Sequence, residues 1–251
     1  MEIRSIGNGR RQEVCAELLS HHGEGRFARA VLLPIPTVIN EEGYIRGSSV
    51  TPESLASMCA EDTLAVGYGI PESLRELLSS RGAKIYDLSL DEEFLLGNAR
   101  LTALGTLGYI LTEYPASPDG LYIGIVGYGR IGKALLNYLL FLGVKARVYT
   151  TRREVMLSLC EMGIESRLVG EASELSELDL LINTAPSVQF SESDISSLPE
   201  GYRIIELASG KNFPDWAPTV TLRAVPEKSF PESAGRLMYK AILSRCLRGA
   251  E

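Results

Sequence analysis

Residues 122–132 read Tyr-Ile-Gly-Ile-Val-Gly-Tyr-Gly-Arg-Ile-Gly, an apolar run that passes directly into Gly127-x-Gly129-x-x-Gly132. Glycines at this spacing ask for one local structure. The first permits a tight turn from strand to helix, the second lets backbone approach a pyrophosphate, and the third lets the helix lie close on the strand. The segment that follows has helical periodicity, with Ile131, Ala134, Leu135, Tyr138, Leu139 and Leu142 repeating along one face. A strand before and an amphipathic helix after make the glycine pattern a βα unit whose helix N-terminus offers N–H donors and partial positive charge to a phosphate. Gly127, Gly129, Arg130, Ile131 and Gly132 are therefore candidate cofactor residues.

The chain around this unit alternates in the same way. Strands are expected at 121–126, 144–149, 165–168, 179–183, 202–207 and 219–224, with helices at 130–142, 153–162, near 171–176, near 191–197, and from about 231 to 247. Repeated βα units predict an α/β fold with a doubly wound, Rossmann-type parallel sheet. The first ninety residues give strands at 2–6, 30–33, 64–67 and 84–86 with helices between, and predict a smaller N-terminal, flavodoxin-like α/β lobe. Residues 91–113 carry a broad apolar stripe broken by Gly97, Ala99, Gly105 and Gly108, a helix suited to joining two lobes. The linker-like Pro115-Ala116-Ser117-Pro118-Asp119-Gly120 ends it. The expected organisation is a lobe at 1–90, an inter-lobe helix at 91–114, the dinucleotide domain at 115–230 and a final helix at 231–251.

Composition excludes more than it selects. A formal net charge of −7 over 251 residues leaves no basic footprint for nucleic acid. The longest uncharged runs, 101–112 and 180–191, fall short of the roughly twenty residues that cross a bilayer, so no membrane segment is expected. The N-terminus has no apolar signal core. Cys15, Cys59, Cys160 and Cys246 show no metal-ligand spacing, as reduced thiols of a cytoplasmic protein would.

An NAD-selective fold places a carboxylate near the end of its second strand to hold the ribose hydroxyls. Here that strand runs into Thr150-Thr151-Arg152-Arg153. Hydroxyls and guanidinium suit a 2′-phosphate, which predicts NADP, with NAD the alternative. Two arginines are also what a solvated helix start contains. The strand at 179–183 ends in Asn183-Thr184-Ala185-Pro186-Ser187 and the strand at 202–207 leads to Ala208-Ser209. Ligands of open α/β sheets sit outside the carboxyl ends of strands, so these residues are expected to face the cofactor. Asn and Ser also commonly satisfy loop backbone, but two consecutive strands ending this way favour a site. The only histidines, His21 and His22, lie near the end of the first helix, so a His–carboxylate acid–base pair is not expected and the catalytic residue is left open.

Taken together, several stretches resemble the family of dipicolinate synthase A subunits, whose dinucleotide domain is similar to that of D-2-hydroxyacid dehydrogenases. They are Gly7-x-x-Arg10-x-Gln12, Leu32-Leu33-Pro34, Asn98-x-x-x-Thr102-x-x-Gly105-Thr106, residues 126–132, residues 179–187, Glu206-Leu207-Ala208-Ser209, and Pro231-x-Ser233-Ala234-Gly235. The resemblance implies an NAD(P)-dependent oxidoreductase component that exchanges hydride with a small cyclic dicarboxylate of the dihydrodipicolinate type, in sporulating bacteria, beside a flavoprotein-like second subunit. It makes Arg10, Arg100, Lys228 and Ser233 candidate substrate residues, and a homo-oligomer is expected. The chain departs from the family in a shortened first lobe and in Leu104, which stands where the family has an acidic residue. The rival readings are a catalytically inactive NADP-binding module for regulation or assembly, and a hydroxyacid reductase with an unusual acid or base.

Overall fold

In the computed structural model, which describes residues 2–21, 27–114, 116–170, 175–187 and 190–244, short apolar runs alternate with helices to build two parallel sheets. The chain divides into two compact units. One comprises Met1–Asn98 and Pro226–Glu251, the other Ala99–Val225.

The first unit begins β1 (Glu2–Ser5), α1 (Arg10–Ser20), β2 (Arg29–Leu32), α2 (Pro52–Ser57), β3 (Thr63–Gly67), α3 (Glu72–Ser80) and β4 (Lys84–Asp87). Its four strands are parallel and lie side by side in chain order. The central pair is apolar on both faces, as a covered parallel sheet requires. Ala30, Val31, Leu32, Leu64, Ala65 and Val66 are all buried. Each large aliphatic side chain there contributes about 2 kcal/mol of burial. Thr51 caps α2 by accepting from the Ser54 amide at 3.2 Å, with Pro52 at the first helical position. α4 (Glu92–Glu113) starts in this unit, where Phe94 joins the core.

The second unit runs β5 (Tyr122–Val126), α5 (Arg130–Phe141), β6 (Lys145–Thr150), α6 (Arg153–Glu161), β7 (Ser166–Leu168), β8 (Leu180–Asn183), α7 (Glu192–Ser196), β9 (Arg203–Glu206) and β10 (Thr219–Thr221). All pairings are parallel and the order is β7-β6-β5-β8-β9-β10. That is the doubly wound dinucleotide-binding order, and the chain reverses direction of winding between β5 and β8. One face of the sheet packs Ile123, Ile125, Val148 and Ile182 against Leu135 and Leu139 of α5, with Ala103, Leu107 and Ile110 of α4. The other buries Tyr122, Val126, Tyr149, Leu181 and Ile204 with Leu175, Leu178 and Phe213. Arg147 is almost fully buried on β6, paired with Glu165 at 2.5 Å and Glu177 at 2.7 Å.

The chain then returns to the first unit through α8 (Val225–Ser229) and α9 (Pro231–Ile242). α9 lies on α1 where Gly235 permits it. A β-carbon on Gly235 would stand 2.5 Å from Val14 Cβ and 2.8 Å from the Arg11 carbonyl oxygen. Met238 and Ile242 thereby complete a core with Cys15, Leu19, Leu32, Leu64 and Val66.

Several details differ from the sequence-based expectation. The division between units falls inside α4, between Asn98 and Ala99, rather than at residue 115, because the two ends of this helix feed different cores. The final helix is a layer of the first unit. The strand expected at 219–224 stops at Thr221, before Ala224 takes a positive φ of 54° that no strand residue can hold. α4 is also long and apolar enough to cross a bilayer by length and composition, yet Phe94, Ala99, Ala103, Leu107 and Ile110 along it are buried in protein. Of the helix expected near 171–176, residues 175–177 form a single 3-10 turn; 171–174, like His22, Cys246 and the end of the last helix from 245, lie outside the described residues.

Candidate dinucleotide-binding site

The glycine turn joins β5 to α5 with each glycine in a separate role. Gly127 has φ +91°, a left-handed conformation that strains other residues, and its amide donates to the Tyr149 carbonyl at 2.8 Å. Gly132 sits where a β-carbon would be 2.1 Å from the Gly127 carbonyl oxygen, so helix and turn can meet at this distance only without a side chain. Gly129, the residue preceding α5, is the opposite case. Its backbone is extended and a β-carbon there would meet nothing within 4 Å.

That open space belongs to a cavity of about 330 Å³, walled by residues 126–129, by 149–152 with Val169, and by 184–187. α5 begins beside this cavity, directly after Gly129, without a side-chain cap. A bare backbone cradle, a helix N-terminus and no filling side chain fit a dinucleotide's pyrophosphate.

The end of β6 places Thr151 and Arg152 exposed on the wall, while the buried Thr150 hydroxyl accepts from the Arg152 amide at 3.2 Å and so shapes the turn. Arg153 is exposed in the first turn of α6. On the opposite wall, the Thr184 hydroxyl donates to the Val126 carbonyl at 2.9 Å, as does its amide, tying β8 to the glycine turn. Ala185, Pro186 and Ser187 complete this side. Ile131 packs against the core and Arg130 is exposed on the first turn of α5.

Asn183 is fully buried, and its side chain faces the protein. Its Nδ2 donates to the Ala185 carbonyl at 3.0 Å and to both Glu206 carboxylate oxygens at 2.9 and 3.0 Å, and its Oδ1 accepts from the Ala185 amide. Glu206, its register partner on β9, also accepts from the Ala208 amide at 2.8 Å and from Asn212 Nδ2 at 2.9 Å. A buried carboxylate needs such satisfaction, and here it makes a clamp that fixes the loop after β8 and the loop after β9 together. Glu206 is the residue that motif reading undervalued. The signal was present, since polar residues at matched positions on two neighbouring strands face one another across the sheet. Ala208 and Ser209 follow β9 without reaching this cavity. A second cavity, about 360 Å³, lies beyond them, between Glu206, residues 210–215 and β10.

The substrate candidates are all exposed. Arg10 holds three carboxylates, Glu232 at 3.1 Å, Glu13 at 3.2 Å and Glu17 at 3.4 Å, and these acids raise its pKa. Lys228 and Ser233 are exposed in the first unit, and Arg100 on α4 is exposed in the second and does not line the cavity. His21 lies at the end of α1 with Nδ1 2.7 Å from the Glu17 carbonyl oxygen, a helix-terminal contact. Cys15 and Cys59 are buried free thiols, and burial pushes Cys15 up to about 12.

Strand order, glycine turn and cavity define a Rossmann-type dinucleotide-binding fold. Among proteins with this fold, the chain is similar to dipicolinate synthase A subunits. It is 23% identical over 182 residues to the A subunit of dipicolinate synthase from Bacillus subtilis (strain 168), a match covering 69% of this chain and 61% of the relative. The chain thus spans less than two thirds of that relative's length in the match. Among solved structures, the dipicolinate synthase A subunit from Bacillus halodurans superposes with a TM-score of 0.78 at 20% identity, covering 97% of each chain. Its Bacillus subtilis counterpart gives 0.80 at 17% identity, covering 97% of this chain and 95% of that one. At these identities the likeness is one of fold. No family model matches the chain.

Proposed function

We propose that this chain is an NADP-preferring oxidoreductase of the kind represented by dipicolinate synthase A subunits, acting on a small cyclic dicarboxylate in the cytoplasm. The observation that carries the cofactor choice is the wall after β6. Thr151 and Arg152 stand on it, and no Asp or Glu lines the cavity among the described residues. A guanidinium at that position favours a 2′-phosphate through charge-assisted hydrogen bonds, and no carboxylate repels it. Gly127–Gly132 and the first turn of α5 would hold the pyrophosphate, and Thr184–Ser187, braced by the Asn183–Glu206 clamp, would form the facing wall. The nicotinamide, when bound, supplies or accepts the hydride. The chain's own part is to bind, orient and hold the two loops rigid.

One observation favours a second reading. Among the described residues the cavity lining contains no His, Lys, Asp or Glu, the usual proton-transfer groups. A module that binds NADP without catalysis, serving a larger assembly, needs none. The relative from Bacillus subtilis is one subunit of its synthase, which supports a multi-subunit setting for either reading, and a flavoprotein-like second subunit is the proposed partner. Turnover separates the two. Incubating the chain with NADP(H) and freshly generated dihydrodipicolinate, in isolation and together with such a partner, should change absorbance at the nicotinamide band. NADPH binding without turnover of that acid in either mixture would leave the inactive module.

A further inference from the structure

Glu206 is 2% exposed, and among the described residues its carboxylate is met by N–H donors alone, with no cation. Arg223 donates to the Glu206 backbone carbonyl at 3.3 Å instead. Lys211, one residue before Asn212, is held by Asp215 at 2.7 Å. The half-buried Asn212, whose Nδ2 donates at 2.9 Å, is thus the side chain that brings the loop after β9 onto this charge. Removing a donor from a buried carboxylate costs more than an ordinary hydrogen bond, because the charge is left short of its solvation.

The carboxylate in turn sets the Asn183 amide. A flipped amide would turn Oδ1 against the Glu206 oxygens and Nδ2 against the Ala185 N–H, so the bonds present allow one orientation. In that orientation Asn183 grips Ala185 twice, accepting from its amide at 3.0 Å and donating to its carbonyl at 3.0 Å. Ala185 belongs to the wall of the dinucleotide cavity. Asn212 does not line that cavity; with Glu206 it lines the second one, of about 360 Å³. A relay of three side chains, Asn212, Glu206 and Asn183, therefore joins the loop after β9 to the cavity wall across the register pair of β9 and β8. In a buried network of this kind the members depend on one another.

We propose that Asn212 is a positioning residue for the dinucleotide site. By donating to Glu206 it keeps Asn183 oriented, and Asn183 holds the Ala185 segment of the wall in its binding geometry. This deepens the proposed function and rests on the dinucleotide reading for the step from wall geometry to cofactor affinity. The clamp then does not end at Glu206. Residues 210–215, which border only the second cavity, carry the donor on which a wall of the first depends.

Amide hydrogen exchange on the ligand-free chain and titration with NADPH read the two halves separately. Asn212→Ala should speed exchange of the Ala185 amide at least about tenfold while leaving the β5 amides as they are. It should also weaken NADPH binding about tenfold, since a displaced wall misplaces the ligand. Asn212→Leu keeps the bulk without the donor and should behave alike, which covers a loop unsettled by the smaller side chain. Because Asn212 acts through Glu206, Asn212→Ala should add little to the loss caused by Glu206→Gln. An asparagine that only stabilises the loop would give losses that multiply, and would speed the β5 amides as well. Unchanged Ala185 exchange, unchanged NADPH affinity in a chain that binds it, or multiplying losses would each overturn the assignment. A wild-type chain that binds neither NADPH nor NADH would sink the dinucleotide reading, and Ala185 exchange would still decide whether Asn212 sets the wall.

Discussion

Gly129 and Gly132 look alike in the sequence and differ physically, and the difference yields a prediction. A β-carbon on Gly132 would collide with backbone at 2.1 Å, which cannot swing away. Gly132→Ala should cost about 2–3 kcal/mol of stability and weaken dinucleotide binding. Gly129→Ala, with nothing within 4 Å, should leave stability nearly unchanged and still weaken binding, because its methyl enters the pyrophosphate space. Denaturant melts and NADPH titrations on both variants check this. A second prediction concerns Asp87, 6% exposed, which accepts from the Ser89 hydroxyl and amide, the Gly69 and Ile70 amides and Arg75. Burial alone would raise its pKa; the Ser89, Gly69 and Ile70 hydrogen bonds outweigh it and hold the carboxyl below its ordinary value. The stability it contributes is therefore complete above the unfolded-state value of about 4 and lost as pH falls through the lower folded-state value. Asp87→Asn should destabilise by about 2 kcal/mol at neutral pH. That gap should narrow below about pH 4. A gap constant from neutral to acid pH would contradict the account. At this scale the glycine triad was legible because its spacing encodes backbone contacts. Asn183 was not, because a polar residue at a strand end has the same composition whether it meets a ligand or a neighbouring carboxylate. Nor could the sequence distinguish Arg10 from Arg11, since what buries one and not the other comes from distant parts of the chain.

At the scale of elements, α1 and α9 depend on one glycine. Gly235→Ala pushes a methyl against Val14 Cβ and the Arg11 backbone, whereas Gly97→Ala on α4 meets only the flexible end of Leu237 at 2.5 Å. Gly235→Ala should destabilise by about 1–3 kcal/mol and Gly97→Ala by less, read from midpoints of urea unfolding. Equal costs would mean that α9 can shift away from α1. Most strands and helices were readable to within a residue or two, because buried parallel strands are short continuous apolar runs and the helices between them are amphipathic. α8 escapes a reading by pattern since Val-Pro-Glu-Lys-Ser carries the chemistry of a loop, and β10 is shorter than its pattern because Leu222 continues an apolar alternation that the backbone abandons by Ala224.

For the whole molecule, β/α alternation and one glycine turn were enough to expect two α/β lobes and a doubly wound sheet. The return of α9 to the first unit left no local pattern, because it is a contact between chain ends. The cavity beside the glycine turn is lined by Tyr128 and Tyr149 but, among the described residues, by no His, Lys, Asp or Glu. Cofactor choice is tested most directly by a pair of dissociation constants, NADPH against NADH, on the wild-type chain and on Arg152→Gln. NADPH should bind the wild type at least about tenfold more tightly, a difference of about 1.4 kcal/mol, and the substitution should remove most of that preference. NADH binding as tightly as NADPH to the wild-type chain would contradict it.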